Sequence, residues 1–207
     1  YWGRFNASGN PGLLIQGVDG NSTPGTAAPC CAVLAAYGDT KRLENVATGG
    51  IFRSCAVAFI ACNESGVLGG GIGSTSPDRP TLVISSHFDW YIWSPFTAAP
   101  PLNATPAQSI YLDNTQVQQL GRYLWTMYLR NVHSLRMDNV LLGCTGRAGV
   151  LAQGQNNLIP ITGGKQYSEF ADATPLAVFE CGAGDSCTNI KSLGFGTPGL
   201  PMTFGDG

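Results

Sequence analysis

Few side chains in this sequence have both the type and the placement for chemistry, and they fall at three points. His87-Phe88-Asp89 stands near the end of a β-rich run, Asp113-Asn114 where a helix is expected to open, and Glu180 at the end of a later apolar run. Imidazole and carboxylate together are the donor types of a hydrolytic metal site. The simpler alternative is that His87 and Asp89, two apart on a strand and therefore on one face, only hydrogen-bond partners across a sheet. No Gly-x-Ser-x-Gly elbow, Walker loop or His-Glu-x-x-His is present. The stretch Gly69 to Ser74 is rich in glycine but precedes a Ser/Pro loop and a strand, whereas a phosphate cradle needs a helix N-terminus, so it reads as a turn. The aromatic cluster Phe88, Trp90, Tyr91, Trp93 and Phe96 is either a sugar-stacking platform or packing for a core or interface.

Over about residues 78 to 181 the order of these motifs resembles the zinc-dependent aminopeptidase fold and its catalytically dead relatives of the nicastrin type. In that family a His-x-Asp ends a sheet strand, an Asp-Asn starts the next helix and a further acidic residue closes a later strand. The resemblance implies His87, Asp113 and Glu180 as zinc ligands, Asp89 as the support of His87, and one carboxylate bridging two ions. The sequence departs from the pattern at Cys144 to Gly149, where Cys-Thr-Gly-Arg-Ala-Gly stands in place of the adjacent Glu-Glu pair. A second ligand histidine is also missing, since His133 precedes that strand. What the resemblance implies is thus an inactive hydrolase, whereas the residues read alone imply no cofactor and no catalytic group.

Place is better marked than chemistry. Asn6, Asn21, Asn63 and Asn103 each open an Asn-x-Ser/Thr acceptor for N-linked glycans, where roughly two such matches are expected from composition. Charged residues make up only 12% of the chain, about half the usual share. Solubility must then come from Ser, Thr, Asn and Gly, from sugar, or from burial against partners. The net charge of −2, with eleven scattered Lys and Arg, leaves no basic stripe for nucleic acid. The apolar runs Cys31 to Tyr37 and Cys55 to Cys62 are about half of the ~20 residues a membrane helix needs, so no membrane span is expected.

Seven cysteines make an odd set. Cys181 and Cys187 enclose Gly-Ala-Gly-Asp-Ser, which is flexible enough to fold back, and are the expected disulfide. Cys55 and Cys62 lie about seven strand steps of ~3.3 Å apart on opposite faces and are not expected to pair with each other. Cys30 and Cys31 could reach Cys55, Cys62 or Cys144, or these could all be buried thiols. No Cys-x-x-Cys pair favours a metal site.

The elements that must position these residues read as a single α+β or α/β domain with a mixed central sheet. Residues 1–29 read as an extended Gly/Pro-rich arm, 30–193 as the globular domain and 194–207 as a flexible tail. Ala27 to Tyr37 suggests a short buried helix stopped by Gly38, and Ile51 to Ala61 a buried strand. Thr81 to Trp93 gives the firmest strand signal. One long amphipathic helix is expected over about 114–130, with Asp113 and Gln116 as a capping box and Val117, Leu120, Leu124, Met127 and Tyr128 on one face. Asn139 to Cys144 and Leu176 to Glu180 read as strands around a long loop, and no internal repeat stands out.

These features lead to an extracellular, glycosylated, disulfide-containing structural subunit that associates with copies of itself or with matrix components, the island Leu13-Leu14-Ile15 adding as a strand to a neighbour. The alternatives are the aminopeptidase-like hydrolase with zinc, and a carbohydrate-binding module.

Overall fold

The chain turns again and again on residues with left-handed backbone: Gly17, Asn45, Gly69, Asn114, Asn139 and Gly163 have φ of 62°, 49°, 65°, 49°, 49° and 62°. Each of these residues except Gly163 donates its N–H to the residue that precedes the next one in the series, as Asn114 does to Asp138 at 2.9 Å and Asn139 to Thr162 at 2.7 Å. They therefore stack as one corner of a coil. Asn and Gly suit the place because a short amide side chain or no side chain tolerates left-handed backbone.

The computed structural model describes residues 13–17, 19–21, 31–87, 106–170, 177–193, 195 and 204–205. Every element among them is a strand. The first coil carries β1 (Leu13–Gln16), β2 (Asp19–Asn21) and β3 (Val33–Asp39), the second β4 (Lys41–Glu44), β5 (Ala47–Gly49) and β6 (Val57–Asn63). The third carries β7 (Gly66–Leu68), β8 (Gly71–Ser74) and β9 (Leu82–Ser85), the fourth β10 (Ala107–Asp113), β11 (Gln116–Gln119) and β12 (Trp125–Arg130). The fifth carries β13 (Val132–Asp138), β14 (Leu141–Cys144) and β15 (Ala148–Gln153), the sixth β16 (Gln155–Thr162), β17 (Lys165–Ser168) and β18 (Ala177–Cys181). β19 (Ser186–Leu193) and β20 (Phe204–Gly205) follow. All pairings are parallel and join a strand to its counterpart one coil on, apart from one residue pair between β6 and β10. The result is a three-faced parallel β-solenoid, with the second face forming a separate six-stranded sheet.

The core is a set of in-register columns. Leu43, Val67, Leu112, Met137 and Ile161 stack on the first face, 24, 45, 25 and 24 residues apart. Ile72, Val117 and Leu142 stack on the second, and Val57, Leu82, Met127, Val150 and Phe179 on the third. All are buried in one cluster. Each such side chain contributes roughly 1.5–3 kcal/mol by leaving water. The long interval of 45 residues holds an insertion between β9 and β10. On the third face the intervening positions are buried too: Ala58, Ile60, Val83, Tyr128 and Leu151 form a second apolar cluster with Cys31 and Cys55.

This architecture replaces the expected α+β or α/β domain. The stretch expected as a helix over 114–130 is the corner residue Asn114, strand β11, a turn and strand β12. Val117, Met127 and Tyr128 are buried, but Leu120 and Leu124 are 37% and 48% exposed, so the five do not share one buried face. The turn sits directly on the coil before it: a Cβ at Gly121 would overlap the backbone oxygens of Thr75 and Ser76. In place of the helix expected before Gly38, the described residues hold strand β3, the loop expected after Cys144 holds β15, β16 and β17, and a repeat runs through the described residues. Leu13 to Gln16, within the expected arm, is a strand paired with β4. Phe204 and Gly205, within the expected tail, pair with β18.

Candidate functional site

Strand β9 ends at Ser85, and the two residues after it reach the corner where the third face meets the first. There Ser86 donates its N–H to the carbonyl of Arg130 at 3.0 Å, tying the end of β9 to the end of β12. Asn131, left-handed at φ 50°, follows β12 at the same corner. Its amide donates to Ser86 Oγ at 3.1 Å, and its Oδ1 accepts the N–H of Gln155 at 2.9 Å, so one side chain holds three successive coils. Ser86, His87, Pro106, Asn131, His133 and Gln155 line a cleft of about 400 Å³. Both histidines of the chain are here.

Ser86 Oγ lies 2.7 Å from His87 Nδ1. Asn131 also donates to that oxygen, so Ser86 Oγ is shared between the Asn131 amide and the His87 ring. Partial burial, and secondarily the Arg130 guanidinium, hold His87 below its ordinary pKa, in keeping with a neutral ring. Ser86 is only 2% exposed and is bonded on both sides. It resembles a nucleophile and base by type, but an attacking oxygen needs an open approach to its substrate. What the cleft can do is recognise a polar group: the His87 ring, the exposed His133 and Gln155 line it with polar side chains.

The structure does not bring the sequence-predicted trio together. His87 lies in this cleft, whereas Asp113 ends β10 and accepts from its neighbour Asn114 at 2.6 Å. Glu180 is on β18, where Oε2 accepts from Trp125 Nε1 at 3.0 Å and Oε1 pairs with Arg147 at 2.9 Å. Among the described residues no group of three or more His, Cys, Asp or Glu is placed to share a metal ion. Asp89, the five aromatic residues from Phe88 to Phe96, Cys30, Asn6 and Asn103 lie outside the described residues. Asn21 is the last residue of β2. Asn63 ends β6, half-buried, in register with Asp39 and Gln108. Its sequon partner Ser65 is fully buried, accepting from Lys41 N at 2.9 Å and donating to Asn63 O at 2.7 Å.

The expected Cys181–Cys187 disulfide is present, spanning the tight turn from β18 to β19. Cys62 and Cys144 are buried thiols within the main core, and burial pushes Cys144 up to about 12. Sequence reasoning missed Ser86, Asn131, His133 and Gln155. One signal pointed to three of them: Ser86, Asn131 and Gln155 are 45 and 24 residues apart, the same intervals as between corner residues.

A second polar arrangement lies on the second face, where Tyr167 Oη accepts from Gln116 and Gln118 Nε2 at 2.6 and 3.0 Å. Gln118 also donates to Glu169 Oε1 at 3.0 Å. These groups satisfy one another across three coils. No helix among the described residues is long and apolar enough to cross a membrane. Comparison of the chain with protein-family models, with curated proteins and with solved structures finds no match.

Proposed function

We propose that this chain is an extracellular, N-glycosylated β-solenoid scaffold that acts by association, with copies of itself or with matrix components, and not by catalysis. The observation that carries the reading is where apolar side chains remain exposed. Of the large apolar residues among those described, Leu14 at 56% and Leu193 at 74% are the most exposed. They lie on β1 and β19, the strands at opposite ends of the first-face stack. Among the described residues no strand pairs with the outer edge of β1 or of β19, and strand addition at such an edge propagates the coil. Joining unlike ends gives a heterologous, head-to-tail contact that grows into a filament. The low charge of the chain leaves little repulsion to oppose it, and the sequons and disulfide suit an oxidising compartment.

Light scattering coupled to size-exclusion chromatography on native material tests this. Particles well above the 21.7 kDa chain mass, with carbohydrate in addition, are expected. Deleting residues 1–20, which removes Leu13, Leu14 and Ile15 with β1, should abolish the large species. An unchanged particle size after that deletion, or a sugar-free monomer before it, overturns the reading.

A further inference from the structure

Cys31 and Cys55 are 24 residues apart and in the same position on successive coils. The pairs Val33 with Val57 and Leu34 with Ala58 continue the register two residues on, and Ala32 donates its N–H to Ala56 O at 2.8 Å. Their sulfurs are 3.3 Å apart. Cys31 is 7% exposed and Cys55 is fully buried, and both belong to the second apolar cluster. In-register residues on neighbouring parallel strands lie about 4.8 Å apart, inside the Cα range that a disulfide spans. Closure requires the sulfurs to approach by little more than 1 Å, to about 2.05 Å.

We propose that Cys31 and Cys55 form a second disulfide, a covalent staple between the first two coils of the third face. The step is a thiol–disulfide exchange. Two thiols lose two protons and two electrons as the S–S bond forms, and a small-molecule disulfide oxidant is reduced to two thiols. Attack by one thiolate on the oxidant gives a mixed disulfide, and the second sulfur displaces the leaving thiol. Because both sulfurs end buried, the exchange precedes or accompanies closure of these coils. The pair spans a 24-residue segment, and cross-linking it restricts the unfolded chain. The inference does not rest on the scaffold reading, since the bridge joins coils of one chain whether that chain is a monomer or part of a polymer.

The test is peptide mapping without reduction on the full chain, refolded with oxidised glutathione and then alkylated in denaturant. The peptides holding Cys31 and Cys55 should be linked, with tandem fragmentation placing the bond at those two residues. Cys30→Ser should keep the link, and Cys31→Ser should lose it. The melting temperature should fall by about 5–10 °C in Cys31→Ser relative to Cys30→Ser. Alkylation of both residues without prior reduction, or a link through Cys30 or Cys62, overturns the proposal, and the wild-type map decides even if a variant fails to fold.

Discussion

At the scale of single residues, most polar groups with chemical potential are engaged in holding one coil to the next. Ser86 and Asn131 illustrate this, as does Thr48, whose hydroxyl donates to Gly73 O and accepts Gly73 N–H, both at 3.0 Å. His87, bonded to Ser86, also lines the cleft. Its pKa in the folded chain is lowered, first by burial and then by Arg130. An imidazole depressed on folding leaves stability unaffected above its unfolded value of about 6.5. As pH falls below that value the unfolded chain takes up the proton first, so stability is lost until the folded pKa is passed. An NMR titration should find the His87 midpoint below 6.5, and Arg130→Gln should move it upward; a midpoint at or above 6.5 contradicts the geometry. Cys144 is predicted to be inert for a related reason. Burial raises it to about 12, so iodoacetamide at pH 8.5 should leave it unlabelled in folded protein and label it in denaturant.

At the scale of elements, the sequence was legible where a strand is a continuous apolar run and illegible where the solenoid corner decides. Val57 to Cys62, Leu82 to Ile84 and Val178 to Phe179 read as strands because both sides of the third face are buried, which fills inward and outward positions alike with apolar residues. The stretch after Asp113 misled for a definite reason. Inward residues of two short strands, Val117 and Met127, with the turn residues Leu120 and Leu124 between them, fall at helical spacing by coincidence. Asp113 with Gln116 looked like a capping box because Asp favours an N-cap, whereas Asp113 ends β10 and the Asn114 after it takes left-handed backbone. In the cleft, His87 was legible by type, whereas Asn131 and Gln155 were not, since an amide at a corner matters only once the repeat is known. The corner itself gives a test. Asn139 Nδ2 donates to Asn114 Oδ1 at 2.7 Å on an exposed ladder. Asn139→Ala loses that bond and leaves at φ 49° a residue without the amide that eases left-handed backbone, and should cost about 1–2 kcal/mol. Asn139→Gly relieves the backbone and should cost less, an order that denaturant unfolding can check. Gly121→Ala forces a Cβ against the backbone of the preceding coil and should cost about 1–3 kcal/mol, since main chain locked in a stack cannot yield cheaply.

At the scale of the whole molecule, stability is a sum over contacts between adjacent coils, and no single centre organises the chain. The repeat escaped sequence inspection because corner identity varies between Asn and Gly, and because intervals of 28 and 45 residues break the 24- and 25-residue spacing. The quasi-one-dimensional stack makes a prediction that no ordinary domain would meet. Asp113 and Asp138 are in register, and each is followed by a left-handed asparagine. Excising residues 114–138 joins Asp113 to Asn139, so one whole coil leaves while every remaining strand keeps its inward and outward faces. Leu142 then stacks on Ile72 and Val150 on Leu82, apolar on apolar. The shortened chain should retain its strand signal in circular dichroism, melt cooperatively at a lower temperature, and be shorter in small-angle scattering by about 4.8 Å, one inter-strand spacing. Excising residues 114–125, about half a coil, would put the third-face strand β12 where the second-face strand β11 belongs and should leave an unfolded chain. If both deletions unfold equally, the coils are not interchangeable units, and the insertion or the chain ends must carry stability that the stacked columns do not.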